Sequence, residues 1–395
     1  MAGAATVGRR AVVVAGAGTA LRPRPACAAP AQRLQRFLDE STRPGAYLGA
    51  VAMVQRGTDE AITATAGHRD LARMQPMTPD TLFRLYSLSK PIATVAVLAL
   101  VADGRLTLDA PVARWLPAFG ELRVGSGAAA RAPQRALTLR HLLTHTAGWG
   151  AVSGLDEAPT LAAYAARLAA SPLEADPGTR FAYDGLHTEL AVHLAETVSG
   201  APFDRLLQRR VLQPLAMHDT GFALSPAQRQ RLAEMSALDD QGRLVAAPSR
   251  GGEAPGAPLR PWASGAGGLY GSAADLLRFA RALRDGDAIL PEPLRHQMLH
   301  NQLGSAEVPA PPERPGTDGE GFGLGLGLRP DPGTRLAPGA TGLAGWTGAS
   351  STLFFVHPGR GLIALLLAQH LQRDAARDLP RLLPPFRALV LDAWA

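Results

Sequence analysis

Two pairs of short apolar runs, one near each end of the chain, have the pattern of β-hairpins. Residues 49–54 and 61–66 are separated by a polar turn, and both runs are rich in residues that favour strands. Residues 351–356 and 362–368 flank a turn that contains Pro358 and two glycines. These patterns predict one antiparallel sheet that is built from both termini of the chain.

Between the hairpins, apolar residues recur mainly at helical spacing. Residues 92–101 are apolar on most sides, which is typical of a buried helix. Residues 246–268 and 305–340 are rich in Gly and Pro and predict loops that wall a pocket, apart from residues 321–328. Further helices are predicted over residues 31–40, 137–146, 160–170, 188–199, 202–212, 226–235, 272–283 and 383–391.

Together these elements predict an α/β (α+β) fold, in which helices flank the antiparallel sheet and a mostly helical part is inserted. A chain of 395 residues exceeds one small core, so one large domain or two intimate ones are expected. The predicted domain spans residues 31–395, with its sheet part at about 31–103 and 321–395 and its helical part at about 104–300.

Composition narrows the classes of partner. Hydrophobic residues make up 46% and charged residues 19% of the chain, which is typical of a globular protein. The net charge is +6, but the basic residues are dispersed, so no nucleic-acid partner is expected. No run of about 18 apolar residues predicts a membrane span. The single cysteine, Cys27, excludes an intramolecular disulfide, and the oligomeric state stays open.

The N-terminus, residues 1–30, has the shape of a signal peptide. Arg9-Arg10 precede an apolar run, and small residues surround Cys27 at the spacing of a cleavage site, as in a twin-arginine signal. The competing interpretation is a disordered basic segment. The first would place the protein in the periplasm or outside the cell, and the second in the cytoplasm.

Lysine is almost absent from this chain. Of the 40 Lys and Arg residues, Lys90 alone is a lysine. Arginine replaces lysine well as a solvated charge, but it cannot replace an amine that must lose its proton. Lys90 follows Ser87 by three residues, so the two lie one helical turn apart on the same face.

The position of this pair gives it a chemical meaning. Pro91 prevents a regular helix from beginning much before Ser87, so Ser87 lies at a helix N-terminus. The partial positive charge there favours an alkoxide at Ser87 and disfavours an ammonium at Lys90. A neutral Lys90 could activate Ser87 as a nucleophile, whereas Ser89 would face elsewhere.

The usual serine–histidine arrangement has no support in the sequence. The chain contains no G-x-S-x-G motif. His141 and His145 are four residues apart on a predicted helix, but no glutamate follows His141, so the zinc motif H-E-x-x-H is absent. Both histidines are therefore predicted to be structural, and neither a metal nor a cofactor is expected.

The segment around Ser87 resembles the active-site segment of the serine β-lactamase and penicillin-binding-protein superfamily, in particular class C β-lactamases and the related family VIII carboxylesterases. Supporting segments follow in the family's order. The similar segments are residues 82–91, 137–148, 177–183, 267–275, 321–325 and 345–349. This resemblance covers roughly residues 31–395 and implies the β-lactamase/transpeptidase-like fold.

The resemblance also implies catalytic roles. Ser87 would be acylated, Lys90 would act as base, and Tyr183 would share in proton transfer. Trp346-Thr347-Gly348 would occupy the place of the substrate-binding K-T-G motif. The oxyanion hole would consist of the backbone N–H groups of Ser87 and Ala349.

Two departures from the family pattern bear on the substrate. The asparagine of the family's Y-x-N motif is missing, because Asp184-Gly185 follow Tyr183, and Trp346 replaces the lysine of K-T-G. A carboxylate on the substrate thus loses an evident partner, while tryptophan offers an apolar wall. These features favour an esterase that acts on a small-molecule ester. The alternatives are a β-lactamase or D-amino-acid-specific peptidase and a non-catalytic sensor or binding domain.

Overall fold

The computed structural model describes residues 1, 25–249, 252–286, 288–303, 320–330, 341–372 and 377–394. Its strands are β1 (Gly49–Arg56), β2 (Ile62–Gly67), β3 (Leu82–Arg84), β4 (Ser236–Leu238), β5 (Leu244–Ala246), β6 (Tyr270–Ser272), β7 (Gly321–Phe322), β8 (Gly327–Arg329), β9 (Leu343–Gly348), β10 (Thr352–His357) and β11 (Leu362–Ala368). Its helices are α1 (Pro25–Ser41), α2 (Ser89–Ala102), α3 (Leu139–Leu143), α4 (Leu161–Ala170), α5 (Gly185–Ser199), α6 (Phe203–Leu207), α7 (Pro226–Arg229), α8 (Ala273–Asp285), α9 (Glu292–Leu299) and α10 (Leu383–Ala393).

One antiparallel sheet of seven strands joins the two ends of the chain. Its order is β2-β1-β11-β10-β9-β8-β7. The N-terminal strand β1 pairs with the C-terminal strand β11 over seven residues, from Ala50 opposite Ala368 to Arg56 opposite Leu362. Both predicted hairpins are present, and so is the predicted sheet built from both termini.

The sheet has helices on both faces. On one face α1 and α10 cover it, and Leu34, Leu38 and Phe386 are fully buried there. On the other face α8 packs on β10, β11 and β1, with the rings of Phe279 and Phe354 5.8 Å apart. The same buried cluster continues into the helical part around α2 and α5. No helix in the described ranges is long and apolar enough to span a membrane.

Several elements differ from the predictions because they depend on pairing with segments that are distant in the sequence. Residues 82–84, for which no strand was predicted, form β3, which pairs with β6 almost 190 residues later. The helix expected over residues 226–235 stops at Arg229, and the chain continues into β4. Strand β9 and helix α9 were not predicted as such. The signal segment is mostly residues 2–24, outside the described part, and stays a prediction.

Candidate active site

Ser87 lies in a tight turn immediately before a buried helix. Residues Tyr86–Leu88 form a single 3₁₀ turn, and α2 begins at Ser89, which agrees with the limit expected from Pro91. Tyr86 is buried and has a φ angle of +46°, a left-handed conformation that non-glycine residues rarely adopt. Such strain persists only where the surrounding structure fixes the backbone.

Lys90 lies within reach of Ser87. Its Nζ is 3.2 Å from Ser87 Oγ and donates a second hydrogen bond of 2.7 Å to the carbonyl oxygen of Ala266. Only 3% of Lys90 is exposed, so this amine lies inside the protein. The neighbouring Ser89 is fully buried and accepts a hydrogen bond from the N–H of Leu269, so it points away from the site as expected.

Tyr183 completes a compact group with Ser87 and Lys90. Its ring centroid is 5.0 Å from Lys90 Nζ, and its hydroxyl receives a hydrogen bond of 3.1 Å from Trp346 Nε1. Burial raises the pKa of Tyr183, but the charge of Lys90 and hydrogen bonds with Ser87, Lys90 and Trp346 outweigh it, so the pKa is lowered overall. The phenol is therefore suited to exchange a proton near Ser87.

Asp184 follows this tyrosine and serves the fold. Its carboxylate accepts a hydrogen bond of 2.9 Å from the N–H of Leu186 and caps the N-terminus of α5. The residue next to the catalytic candidate thus fixes the direction in which the chain leaves the site. Gly185 occupies the position of the missing asparagine, so no side-chain amide is present there.

Two buried histidines lie behind Tyr183. The ring of His145 is 4.8 Å from that of Tyr183, and its Nδ1 is 3.2 Å from Nδ1 of His187. Burial lowers the pKa of His187 to about 4 and that of His145 well below its usual value. Both rings are neutral at neutral pH. His145 is buried and hydrogen-bonded, as expected of a structural histidine, but its contact with Tyr183 was not evident from its spacing.

His141 has the structural role that the sequence predicted. Its Nδ1 accepts a hydrogen bond of 3.2 Å from the N–H of Thr138, while the Thr138 side chain accepts one from the N–H of His141. This reciprocal pair caps the N-terminus of α3.

The strand β9 brings the other predicted residues to the same place. Trp346 and Thr347 lie on β9, and Gly348 ends it. A Cβ atom on Gly348 would lie only 2.2 Å from the carbonyl oxygen of Leu85, so the end of β9 touches the segment that precedes Ser87. Ala349 follows in the turn after β9, close to that segment.

A cavity of about 290 Å³ opens beside Tyr183 and Trp346. Its walls are mainly aromatic and apolar, and the rings of Phe322 and Trp346 are 5.2 Å apart. Arg329 and Arg387 also line the cavity, and the guanidinium of Arg329 forms an ion pair with Glu320. Within the described residues, no group of three His, Cys, Asp or Glu side chains could hold a metal ion.

Comparison with known proteins gives a consistent result. The family model described as Beta-lactamase matches residues 32–384. Esterase EstB from Burkholderia gladioli is 34% identical over 365 residues, which cover 85% of this chain and 90% of that protein.

Solved structures of two enzymes have similar folds. EstCE1, described as a hydrolase with promiscuous acyltransferase activity, superposes with a TM-score of 0.73 at 26% identity, covering 92% of this chain and 98% of that one. A variant of simvastatin synthase (LovD) from Aspergillus terreus gives a TM-score of 0.74 at 25% identity, with 92% and 97% covered.

Proposed function

The chain belongs to the Beta-lactamase family, and from that premise we propose that it hydrolyses carboxylic esters through an acyl-enzyme on Ser87. The observation that carries the proposal is the contact between Ser87 Oγ and Lys90 Nζ, with the Tyr183 hydroxyl hydrogen-bonded to both side chains. A serine hydroxyl needs such a base to attack a carbonyl carbon at neutral pH. The 34% identity to an esterase supports the choice of reaction.

In the proposed cycle, Lys90 accepts the proton of Ser87 as Oγ attacks the ester carbonyl. The backbone N–H groups of Ser87 and Ala349 stabilise the oxyanion, and each such donor typically contributes about 3 kcal/mol. Tyr183 then delivers a proton to the departing alcohol, which leaves the acyl group on Ser87. Water attacks the acyl-enzyme in the second half, and the same groups transfer its proton in the reverse direction.

The walls of the site favour an ester over a β-lactam. Trp346 contributes an apolar ring and a single N–H donor, which already binds Tyr183. Two arginines line the cavity beside it: Arg329, which is ion-paired with Glu320, and Arg387 on α10. A substrate carboxylate that bound Arg329 would therefore displace an existing ion pair, whereas a neutral ester requires no such exchange.

An alcohol in place of water would convert hydrolysis into acyl transfer. This second outcome is favoured by the likeness to EstCE1, which combines hydrolase with acyltransferase activity. Product analysis with p-nitrophenyl butyrate and an added primary alcohol would distinguish free butyrate from a new butyrate ester.

Three variants test the catalytic assignment. Ser87→Ala should abolish turnover of p-nitrophenyl acetate and butyrate and labelling by a fluorophosphonate. Lys90→Arg should be nearly as inactive as Lys90→Ala, because guanidinium stays charged and cannot act as base. Wild-type rates in Ser87→Ala would refute the nucleophile, and wild-type rates in Lys90→Arg would refute the base.

The same preparation decides between substrate classes. Nitrocefin turnover and labelling by fluorescent penicillin report β-lactamase or peptidase chemistry, while p-nitrophenyl esters report esterase chemistry. We expect ester turnover to exceed nitrocefin turnover by at least about 100-fold, or about 3 kcal/mol in transition-state binding. A preference for nitrocefin would contradict the proposed function, and ligand binding without any turnover would indicate a sensor domain.

A further inference from the structure

A single loop, residues 262–269, contacts the chain on both sides of Ser87. Its Ala266 carbonyl oxygen accepts the 2.7 Å hydrogen bond from Lys90 Nζ. The N–H of Leu269 donates to Ser89 Oγ at 3.0 Å, and the carbonyl oxygen of Leu269 accepts from the N–H of Leu85 at 2.9 Å. The position of this loop therefore sets where the base and the nucleophile turn lie.

The loop itself is held by a buried carboxylate. Glu189 lies on α5 with only 4% of its surface exposed. Its two oxygens accept hydrogen bonds from Ser264 Oγ and, at 3.2 Å, from Trp262 Nε1. A further hydrogen bond joins this carboxylate to the backbone of Ala266, the residue whose carbonyl holds Lys90. One side chain thus binds three of the loop's residues.

The loop has little room to shift between its neighbours. A Cβ atom on Gly265 would lie 2.5 Å from Val192 Cγ2 on α5 and 3.1 Å from Ala93 Cβ on α2. Gly265 lies between the two residues whose hydrogen bonds to Glu189 and Lys90 matter most, Ser264 and Ala266. The loop is thus packed directly between the helix that carries Glu189 and the helix that carries Lys90.

Burying the Glu189 carboxylate costs free energy of folding, and a core at this position could be stable without a charged group. Removing a carboxylate from water costs several kcal/mol, and well-packed apolar residues often stabilise a core better. Burial raises the pKa of Glu189, and hydrogen bonds from Ser264 and Trp262 and the charge of Lys90 lower it in part. The carboxylate and the amine of Lys90 are thus electrostatically linked across the loop.

We propose that Glu189 is a positioning residue that fixes loop 262–269 and thereby holds Lys90 Nζ in reach of Ser87 Oγ. This inference rests on the proposed function, because it assigns to Glu189 a part in the base role of Lys90. The other titratable groups that face Lys90 are Tyr183, His145 and His187, and Tyr164 faces Glu189.

The test compares Glu189→Gln with Glu196→Gln. Glu196 lies two turns further along α5, is half-buried, and accepts a hydrogen bond of 2.8 Å from the N–H of Phe203, away from Lys90. In Glu189→Gln we expect kcat for p-nitrophenyl butyrate to fall about 10- to 100-fold, with KM within about threefold, because a small misplacement of a catalytic group costs about this much. Glu196→Gln should keep wild-type kinetics.

The pH profile separates positioning from a merely structural role. Glu189→Gln removes the buried negative charge that interacts with Lys90 across the loop, so the ascending limb of kcat/KM should move to lower pH. Ser264→Ala removes one donor to Glu189 but no charge, so it should lower kcat and leave that limb in place. A purely structural glutamate would lower thermal stability and leave the limb unmoved.

The outcomes are distinct. A folded Glu189→Gln enzyme that keeps kcat within about threefold and the wild-type pH limb would overturn the inference. If Glu189→Gln does not fold, Ser264→Ala decides: a kcat loss of about fivefold or more supports the inference, and wild-type kcat overturns it. If Ser87→Ala is inactive and Glu189→Gln is fully active in the ester assay, only the proposed role of Glu189 is refuted. If Ser87→Ala is active, the proposed function is refuted as well.

Discussion

The hydrogen bond from Trp346 to Tyr183 offers a sharp test of the proposed proton-transfer step. Trp346→Phe removes the indole N–H, which lies 3.1 Å from the Tyr183 hydroxyl. A phenyl ring still fits among the neighbouring rings of Tyr183 and Phe322, whose centroids are 5.0 and 5.2 Å from that of Trp346. The variant thus deletes one donor and keeps most of the apolar wall.

The expected loss in kcat depends on the hydrogen bonds that Tyr183 retains in Trp346→Phe. A hydrogen bond to a charged group contributes about 1.5–3 kcal/mol. Because Tyr183 retains its hydrogen bonds with Ser87 and Lys90, we expect the lower end, about 1.5 kcal/mol, which corresponds to about a 10-fold loss in kcat. In the wild type, the hydrogen bond from Trp346 lowers the pKa of Tyr183. The pKa of Tyr183 should therefore rise in Trp346→Phe, which lacks this hydrogen bond.

The assay is steady-state hydrolysis of p-nitrophenyl butyrate across pH, corrected for uncatalysed hydrolysis. The limb of the kcat profile that reports Tyr183 should move to higher pH in Trp346→Phe, while the midpoint of thermal unfolding stays near that of the wild type. Tyr183→Phe serves as the reference. Adding Trp346→Phe to the Tyr183→Phe variant should lower kcat little further, because the hydroxyl that Trp346 binds is already absent. An additive loss in the double variant, or an unmoved limb, would refute the coupling of Trp346 to proton transfer.

Two further predictions concern packing and pH. Gly348→Ala should lower kcat/KM in the ester assay about 100-fold, because the new Cβ would overlap the Leu85 carbonyl oxygen and displace the end of β9. Gly359→Ala is the control. A Cβ at Gly359 has no neighbouring atom nearer than 3.5 Å, so this variant should match the wild type. Burial lowers the pKa of His141 and of His187 from 6.5 to about 4. As pH falls, these two histidines are therefore protonated at a higher pH in the unfolded chain than in the folded protein. The free energy of unfolding should therefore decrease from about pH 6.5 to about pH 4 by about 1.4 kcal/mol per unit for each histidine, and urea denaturation that gives a flat profile would contradict this.

The sequence carried enough information to predict the geometry at the centre of the candidate site. The spacing of Ser87 and Lys90, with Pro91 behind them, is a local pattern, and a helix start fixes its geometry within one turn. The two hairpins were predictable for the same reason, since period-two patterns and turn residues act over a few positions. The contact of Lys90 with Ser87 confirms the geometric part of that prediction.

The contacts of Glu189 and His145 with the candidate site could not be found in this way. Both contact the site through residues that are distant in sequence: Glu189 binds Ser264, and His145 packs against Tyr183. Strand β3 is three residues long, too short to show a period, and exists because β6 pairs with it. Such contacts depend on how complete elements pack, which no local pattern encodes.

The strained turn shows how distant segments bear on the position of Ser87, the proposed nucleophile. A left-handed φ at Tyr86 costs of order 1–3 kcal/mol, which other contacts must offset. Ser350 Oγ donates a 2.9 Å hydrogen bond to the carbonyl oxygen of Arg84, and the carbonyl oxygen of Leu269 accepts one from the N–H of Leu85, so the residues before Tyr86 are held from two sides. Weakening either contact should let the turn relax toward an ordinary φ and withdraw Ser87 Oγ from Lys90. Under the proposed function, the rate of acylation should therefore depend on residues that never touch the ester.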